Sequence, residues 1–480
     1  MALDVGTSSA RARGFDAAGR ALPGADGRAS YEPVLTPDGG VEFDADALVD
    51  AAARAVDGCL ATAPAEPAAA VGVSAFWHSL LALDGAGRPL TPVITWADTR
   101  SAPAAAALRR RLDPSRIHAR TGAPLHAAFF PAKLTWLRDT RPTVFAGART
   151  WCGFPDYLAA RLTGRLATSI SMASGTGLLD QETLLWDREL LEVCHLRPAA
   201  LPPIDDTPAP GLAAPFAARW PRLAAARWHP GAGDGACASV GSHCVTPDRI
   251  ALNVGTSAAL RLVLSAVPFT PKGLWRYRLD AFRSVVGGAT SEGGNTLAWC
   301  RRVLAVPRDD AELERALAAV PPDGHGLTAL PFLAGERSPG WHGEARALVS
   351  GLALDTDAVA IARAMLESVA HRLAIVYERL APLAAPGHRV IASGGALHHS
   401  PTWAGIVADA LGVPIVLAAE PEASSRGAAL LALSAIAPAS PDPMPEGATV
   451  MPDPARHEVY RAALERQRHL YETVVGPEVS

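Results

Sequence analysis

Apolar positions recur along this chain in two rhythms. Short runs of four to six apolar residues, rich in Val, Ile, Leu and Ala, stop at glycine or polar turns and read as buried strands. Between them lie longer stretches with apolar residues on one face at helical spacing. The early pattern predicts a hairpin around Asp16–Gly19, a helix over 46–61 and a strand over 70–74. Helices follow at 103–111, 132–138 and 156–162, with Pro103 suited to a first turn and Gly164 to a stop. Later come a strand at 249–254, helices at 296–303, 309–320 and 356–380, and a strand at 389–392. A helix at 401–411, a strand at 414–418 and a helix at 425–435 continue the alternation. The Pro- and Ala-rich stretch 437–446 reads as a linker, and a last helix is predicted at 454–474. Such alternation predicts an α/β fold.

One pattern occurs twice. Residues 2–13 read ALDVGTSSARAR and residues 251–262 read ALNVGTSAALRL, an offset of 249 (253 − 4), with seven of twelve positions identical. That period is far too long for a solenoid repeat and predicts two related domains. The expected division is 1–243, 244–440, and 441–480 for linker and final helix, with the boundary near Ser242–Thr246. A length of 480 residues suits two cores better than one.

Composition narrows the classes. Charged residues are 19% and the net charge is −4, which argues against nucleic acid or an anionic membrane as the main partner. No apolar run reaches the ~20 residues of a membrane helix. Six scattered cysteines form no CxxC pair and no zinc-type spacing, so reduced thiols and a cytoplasmic protein are expected. The chain opens directly on a strand and a glycine turn, which predicts no targeting leader.

The chemistry concentrates in a few places. A strand ending in Gly-Thr-Ser presents backbone N–H groups and hydroxyls that suit phosphate oxygens. A single copy is an ordinary turn; the copies Gly6-Thr7-Ser8 and Gly255-Thr256-Ser257 together predict a grip on one polyphosphate. Asp4, at the first strand end, would hold Mg²⁺ with a bound nucleotide, while its counterpart Asn253 is neutral. Asp234, in GAGDGACASVGSH, reads either as a helix N-cap or as the carboxylate that takes a hydroxyl proton. Trp77, His78, Trp96, Asp98 and Arg100 supply the rings and polar groups that a carbohydrate needs. The rival reading makes Trp96 core and Asp98–Arg100 a surface ion pair.

These motifs, from Asp4 to about Leu433, resemble the FGGY family of carbohydrate kinases. The resemblance implies two actin-like (ribonuclease H-like) domains with a central cleft, and ATP and Mg²⁺ as cofactors. It implies nucleotide contacts from Gly6, Thr7, Ser8, Arg11, Gly255, Thr256, Ser257, Gly294, Gly394, Gly395 and Ala396, the last three within SGGALHHSPTWAGIVADALG. It implies Asp234 as general base, in the pattern of Gly231, Asp234 and Gly241, and an acceptor pocket around Trp77, His78, Trp96, Asp98 and Arg100. Lys133 matches a recurrent family lysine; a solvated helix residue is the other reading. Glu336 and Arg337 are expected to pair, and Gly427 to mark tight helix packing. ITWADTRS and FLAGERSPGW are most similar to the gluconokinase branch, whereas Ala97 and Trp77-His78-Ser79 depart from xylulokinases. Ser169, Ser291 and Glu292 also depart from common family residues. The expected partner is a small sugar or sugar acid, with a pentulose or polyol as the alternative and the oligomeric state left open, a homodimer included. Rival classes are an actin- or chaperone-like ATPase and a non-catalytic sugar sensor.

Overall fold

The computed structural model describes residues 1–419, 422–436 and 446–477. The strands that matter here are β1 (Ala2–Val5), β2 (Ser9–Phe15), β3 (Ala21–Ser30), β4 (Ala70–Ala75) and β5 (Ala232–Gly233). Then follow β6 (Arg249–Val254), β7 (Ala258–Leu264), β8 (Ser284–Thr290), β9 (Arg389–Ser393), β10 (Ile415–Ala418) and β11 (Glu446–Val450). The helices are α1 (Ala45–Thr62), α2 (Phe130–Thr140), α3 (Ile170–Gly175), α4 (Asp234–Gly241) and α5 (Gly294–Val303). They continue with α6 (Ala358–Leu380), α7 (Gly395–His399), α8 (Pro401–Leu411), α9 (Ala423–Ser434) and α10 (Pro454–Val474). The linker expected at 437–446 lies outside the described residues but for Glu446, which begins β11.

The chain divides into two units that are not contiguous in sequence. The first holds Met1–Gly241, Arg276–Val285 and the segment from Glu422 that carries α9; the second holds most of the remainder. Sequence patterning assigned α9 to the second half, because nothing local distinguishes a helix that closes its own sheet from one that returns to an earlier one.

In the first unit the sheet order is Arg227–Trp228, β4, β1, β2, β3, with β5 also paired to β4. β1 runs antiparallel to β2 and parallel to β4. Every residue of β1 and β4 is buried, so apolar residues fill both faces of these strands, interrupted only by Asp4 and Ser74. α1 presents Leu48, Val49, Ala52 and Val56 to this core. In the second unit β8, β7, β6, β9, β10 and β11 lie side by side in that order. β6 is antiparallel to β7 and parallel to β9. α6 is buried over most of its length and supplies Leu366, Val369, Leu373 and Val376 to that core.

The two copies pair alike on the parallel side but are offset by one residue on the antiparallel side. Asp4 stands opposite Arg11 on one side and Ser74 on the other; Asn253 stands opposite Ala259 and Ser393. Each copy thus has an antiparallel neighbour on one side and a parallel neighbour on the other and ends in its Gly-Thr-Ser turn, with Ala259, the counterpart of Ala10, standing where the first copy has Arg11. All six cysteines are buried and free. Among the described residues no helix is long and apolar enough to cross a membrane.

Candidate active site

In the first unit, register decides which side chains meet. Ala232 of β5 pairs with Ser74 of β4, which pairs with Asp4 of β1, which pairs with Arg11 of β2. One row across the sheet thus carries Arg11, Asp4 and Ser74, and two residues beyond Ala232 the chain reaches Asp234. The turn beyond β1 closes with Gly6 N–H donating to Ser9 O at 3.0 Å, and the Tyr31 hydroxyl donates to Gly6 O at 2.6 Å. Gly6, Thr7 and Ser8 are thereby held at the same strand ends as Asp4.

Asp4 is almost wholly buried, at 6% exposure. Burial lifts its carboxyl to about 6, opposed by the Ser74 hydroxyl; the charge on Asp234 adds to the lift, Arg11 opposes it, and Glu422 adds a little more. Asp234 is the first residue of α4, and its Oδ1 accepts from Gly235 N–H at 2.7 Å. The N-cap reading and the base reading are thus compatible in position. Arg11 forms an ion pair with Glu422 at 2.6 Å, a partner 411 positions away that no local pattern could indicate. Asp4 senses the charges of both Asp234 and Glu422, and carboxylate oxygens of this kind are the hard donors that suit a hydrated Mg²⁺.

α4 and α9 cross closely in this unit. A Cβ added at Gly427 would lie 1.8 Å from Cys237 O, so only glycine allows the contact, as its small neighbours suggested. Glycine matters again at Gly233, where a Cβ would lie 1.8 Å from Cε2 of Trp77. The indole of Trp77 therefore lies against the backbone immediately before Asp234. Its Nε1 donates to Ser171 O at 3.1 Å, and its ring packs on Tyr277 with centroids 4.9 Å apart. Ser169 caps α3 and donates to Gly231 O at 2.6 Å, tying that helix to the Asp234 loop.

His78 is beside Trp77 with φ 61°, a left-handed conformation uncommon for a non-glycine residue. Its Nδ1 faces Gly175 O. A carbonyl only accepts, so Nδ1 carries the proton and Nε2 is the acceptor, with the Tyr277 hydroxyl 3.4 Å away. Phe129 packs edge-on against His78 at 4.8 Å. Sequence reading missed Tyr277 and Phe129, which come from segments far from Trp77 and carry no motif of their own.

The stretch around Trp96 overturns one part of the rival reading, the exposure of its ion pair. Asp98 and Arg100 do pair, but inside the protein: Asp98 is 1% exposed. Arg100 also pairs with Glu42 and lies 4.7 Å above the Trp136 ring, while Asp98 accepts from Val41 N–H at 3.2 Å. The surface ion pair is thus corrected to a buried one, which knits this loop to β-structure near Val41. Trp96 is half-buried and packs against the core of the unit. Lys133 is not solvated; it is 0% exposed, and its ammonium donates to three backbone carbonyls.

In the second unit the residues expected to contact a nucleotide converge. Gly294 N–H donates to Gly255 O at 2.7 Å and Asn295 N–H to Thr256 O at 3.2 Å, so the start of α5 rests on the second Gly-Thr-Ser turn. Gly394 has φ 92° and comes so near β6 that a Cβ would lie 2.5 Å from Val254 O. α7 begins at Gly395, which places Gly395 and Ala396 beside the same turn; Ala396 and Gly294 are neighbours. Asn253 donates from Nδ2 to Ser393 Oγ at 3.1 Å. Glu292 is buried and accepts from Ala334 N–H at 3.0 Å, and burial pushes its carboxyl up to about 8. Glu336 pairs with Arg372 and accepts from the Tyr471 hydroxyl at 2.6 Å, partners that the Glu336–Arg337 expectation did not name.

Asp323, His325 and Glu367 in the second unit have metal-like spacing. Their donor atoms are already engaged. His325 Nδ1 accepts from Leu327 N–H at 3.0 Å, so its Nε2 carries the proton and donates to Glu367 at 2.9 Å. Glu367 also accepts from Arg363 and Tyr460, and Asp323 from Arg466. This is a closed polar network, not a metal site.

Comparison with known proteins agrees with this architecture. Residues 1–210 match the model of the FGGY family of carbohydrate kinases, N-terminal domain, and residues 250–436 match its C-terminal domain. A gluconokinase of Bacillus licheniformis is 28% identical over 462 residues, covering 91% of this chain and 87% of its own. A xylulose kinase of Streptomyces rubiginosus is 34% identical over 369 residues, covering 74% of this chain and 71% of its own. The crystal structure of gluconate kinase from Lactobacillus acidophilus superimposes with a TM-score of 0.91 at 26% identity, over 99% of this chain and 98% of that one.

Proposed function

Since the chain belongs to the FGGY family of carbohydrate kinases, we propose that it transfers the γ-phosphoryl group of Mg-ATP to a hydroxyl of a sugar acid, D-gluconate first among the candidates. The observation that carries the mechanism is the strand register by which β4 pairs with β1, which carries Asp4, and with β5, which leads into Asp234, so that the Asp234 charge acts on Asp4.

Asp234 orients the acceptor hydroxyl and takes its proton as oxygen attacks the γ-phosphorus. The bond from that phosphorus to the β,γ-bridging oxygen breaks, and ADP leaves with the electron pair. The turns Gly6–Ser8 and Gly255–Ser257 offer N–H and hydroxyl donors to phosphate oxygens, with Arg11 adding a positive charge once released from Glu422. Gly294, Gly394, Gly395 and Ala396 present flat backbone to the adenosine. Asp4 would hold Mg²⁺, with Asp234 and Glu422 within its field; bound Mg²⁺ supplies charge neutralisation on the β- and γ-phosphates. Trp77, His78 and Trp96 face the acceptor, while Asp98 and Arg100 stiffen the loop behind them.

Gluconate is favoured by ITWADTRS and FLAGERSPGW and by the gluconokinase relatives. The 34% identity to a xylulose kinase keeps a pentulose as the second reading. A coupled ADP-release assay with Mg-ATP across gluconate, xylulose, ribulose and glycerol decides between them. Turnover with gluconate at a kcat/KM at least about tenfold above the others supports the first reading. ADP release independent of any acceptor would overturn the kinase assignment of these residues.

A further inference from the structure

Lys133 lies in the first turns of α2 with its ammonium fully inside the first unit. Among the described residues it makes no ion pair; its three N–H groups meet His78 O at 2.6 Å, Thr95 O at 2.7 Å and Ile94 O at 3.3 Å. A lone buried cation is costly, and a fold that needed only volume here would use Met or Leu. Ile94 O and Thr95 O already have backbone donors, Leu80 N–H at 3.0 Å and Asp98 N–H at 3.3 Å. Leu80 and Ile94 form one antiparallel bridge between the two segments, and the ammonium extends that link beyond the bridge, to His78 and Thr95. One is His78, held in a left-handed backbone conformation. The other is Ile94–Thr95, directly before Trp96. Lys133 and Trp136 are three residues apart and so share a face of α2, where Trp136 lies under Arg100. The helix thereby supports the Trp96–Arg100 loop at two points. Burial draws the ammonium down to about 7, opposed by the negative charge of Asp98, while the Arg100 charge lowers it further.

We infer that Lys133 is a positioning residue of the acceptor site: it fixes the His78 and Thr95 backbones to one another and so sets where the His78 imidazole and Trp96 meet a polyol. The inference rests on the reading that His78 and Trp96 face the acceptor. Its test compares Lys133→Met, Lys133→Gln and His78→Ala with the best acceptor from the screen, measuring both KM values, kcat and the circular dichroism of each variant.

The expected result is a folded Lys133→Met whose acceptor KM rises about tenfold or more with the ATP KM within about twofold of the parent. Lys133→Gln, which keeps two donors, should recover part of the loss. An acceptor KM unchanged in Lys133→Met but raised in His78→Ala overturns the role of Lys133 alone. Unchanged acceptor KM in His78→Ala removes the acceptor reading and this inference with it. Loss of folded protein in both Lys133 variants overturns it too, since the lysine is then a folding element.

Discussion

Asp4 and Asp234 face each other's charge within the first unit. The negative charge of Asp234 is among the causes that hold the Asp4 carboxyl at about 6. Two carboxylates so arranged repel, and on the proposed reading a Mg²⁺ held at Asp4 should relieve that repulsion and stabilise the protein. Asp4→Asn removes the buried charge. It should stabilise the free protein at pH 7 by about 2 kcal/mol and abolish Mg²⁺-dependent stabilisation. The folded pKa of Asp4 lies above its unfolded value, so the destabilisation by its charge grows as pH rises from the unfolded value to about 6. Urea unfolding at pH 5 and pH 7, with and without Mg²⁺, measures both effects. A variant no more stable than the parent at pH 7 would refute the electrostatic account.

Asp234→Asn should leave ATP binding intact and lower kcat by about a thousandfold or more, since the amide cannot take the hydroxyl proton. Turnover near the parent value removes Asp234 from the chemistry. Isothermal titration with a non-hydrolysable ATP analogue checks that binding survives.

Glu292 gives a prediction about stability alone. Its folded pKa of about 8 exceeds the ordinary carboxylate value, because the buried charge is unfavourable. The folded state therefore binds a proton that the unfolded state has lost, and stability falls as pH rises from about 4.5 to about 8. Glu292→Gln keeps the shape and removes that slope. Denaturation midpoints at pH 5, 7 and 9 should converge in the variant; equal slopes in both proteins would contradict the burial argument.

Gly427→Ala would put a methyl group 1.8 Å from Cys237 O, a backbone atom that cannot step aside cheaply. Alanine ordinarily favours a helix by about 1 kcal/mol. Here a loss of about 3 kcal/mol or more is expected, read by thermal unfolding. The α4 backbone carrying Asp234 would shift as well, so kcat should fall even where the variant stays folded.

Tyr277→Phe keeps the ring that packs on Trp77 and removes the hydroxyl 3.4 Å from His78 Nε2. So long a hydrogen bond contributes little, and stability should change by less than about 1 kcal/mol. The acceptor KM should rise a few-fold, because His78 loses the donor opposite its protonated Nδ1. Unaltered kinetics across the acceptor panel would show that the hydroxyl has no part in setting His78.

The chain's own letters determined the strand-and-helix alternation, the duplicated ALxVGTS unit and the family that these imply. Each is a local pattern, and apolar period, glycine turns and identity between copies are all visible within a few residues. They also set Asp4 and the two turns at strand ends, since a strand's end is marked where its apolar run stops. Tertiary structure alone decided which distant groups meet. Arg11 finds Glu422 across 411 positions, Tyr277 reaches His78 across 199, and α9 returns to the first unit. It also decided that Asp98, Arg100 and Lys133 lie inside the protein, where the sequence had left a surface position open. Burial and pairing depend on what the rest of the fold lays over a residue, and a helix face or a charged pair reads the same in sequence whether water or protein covers it.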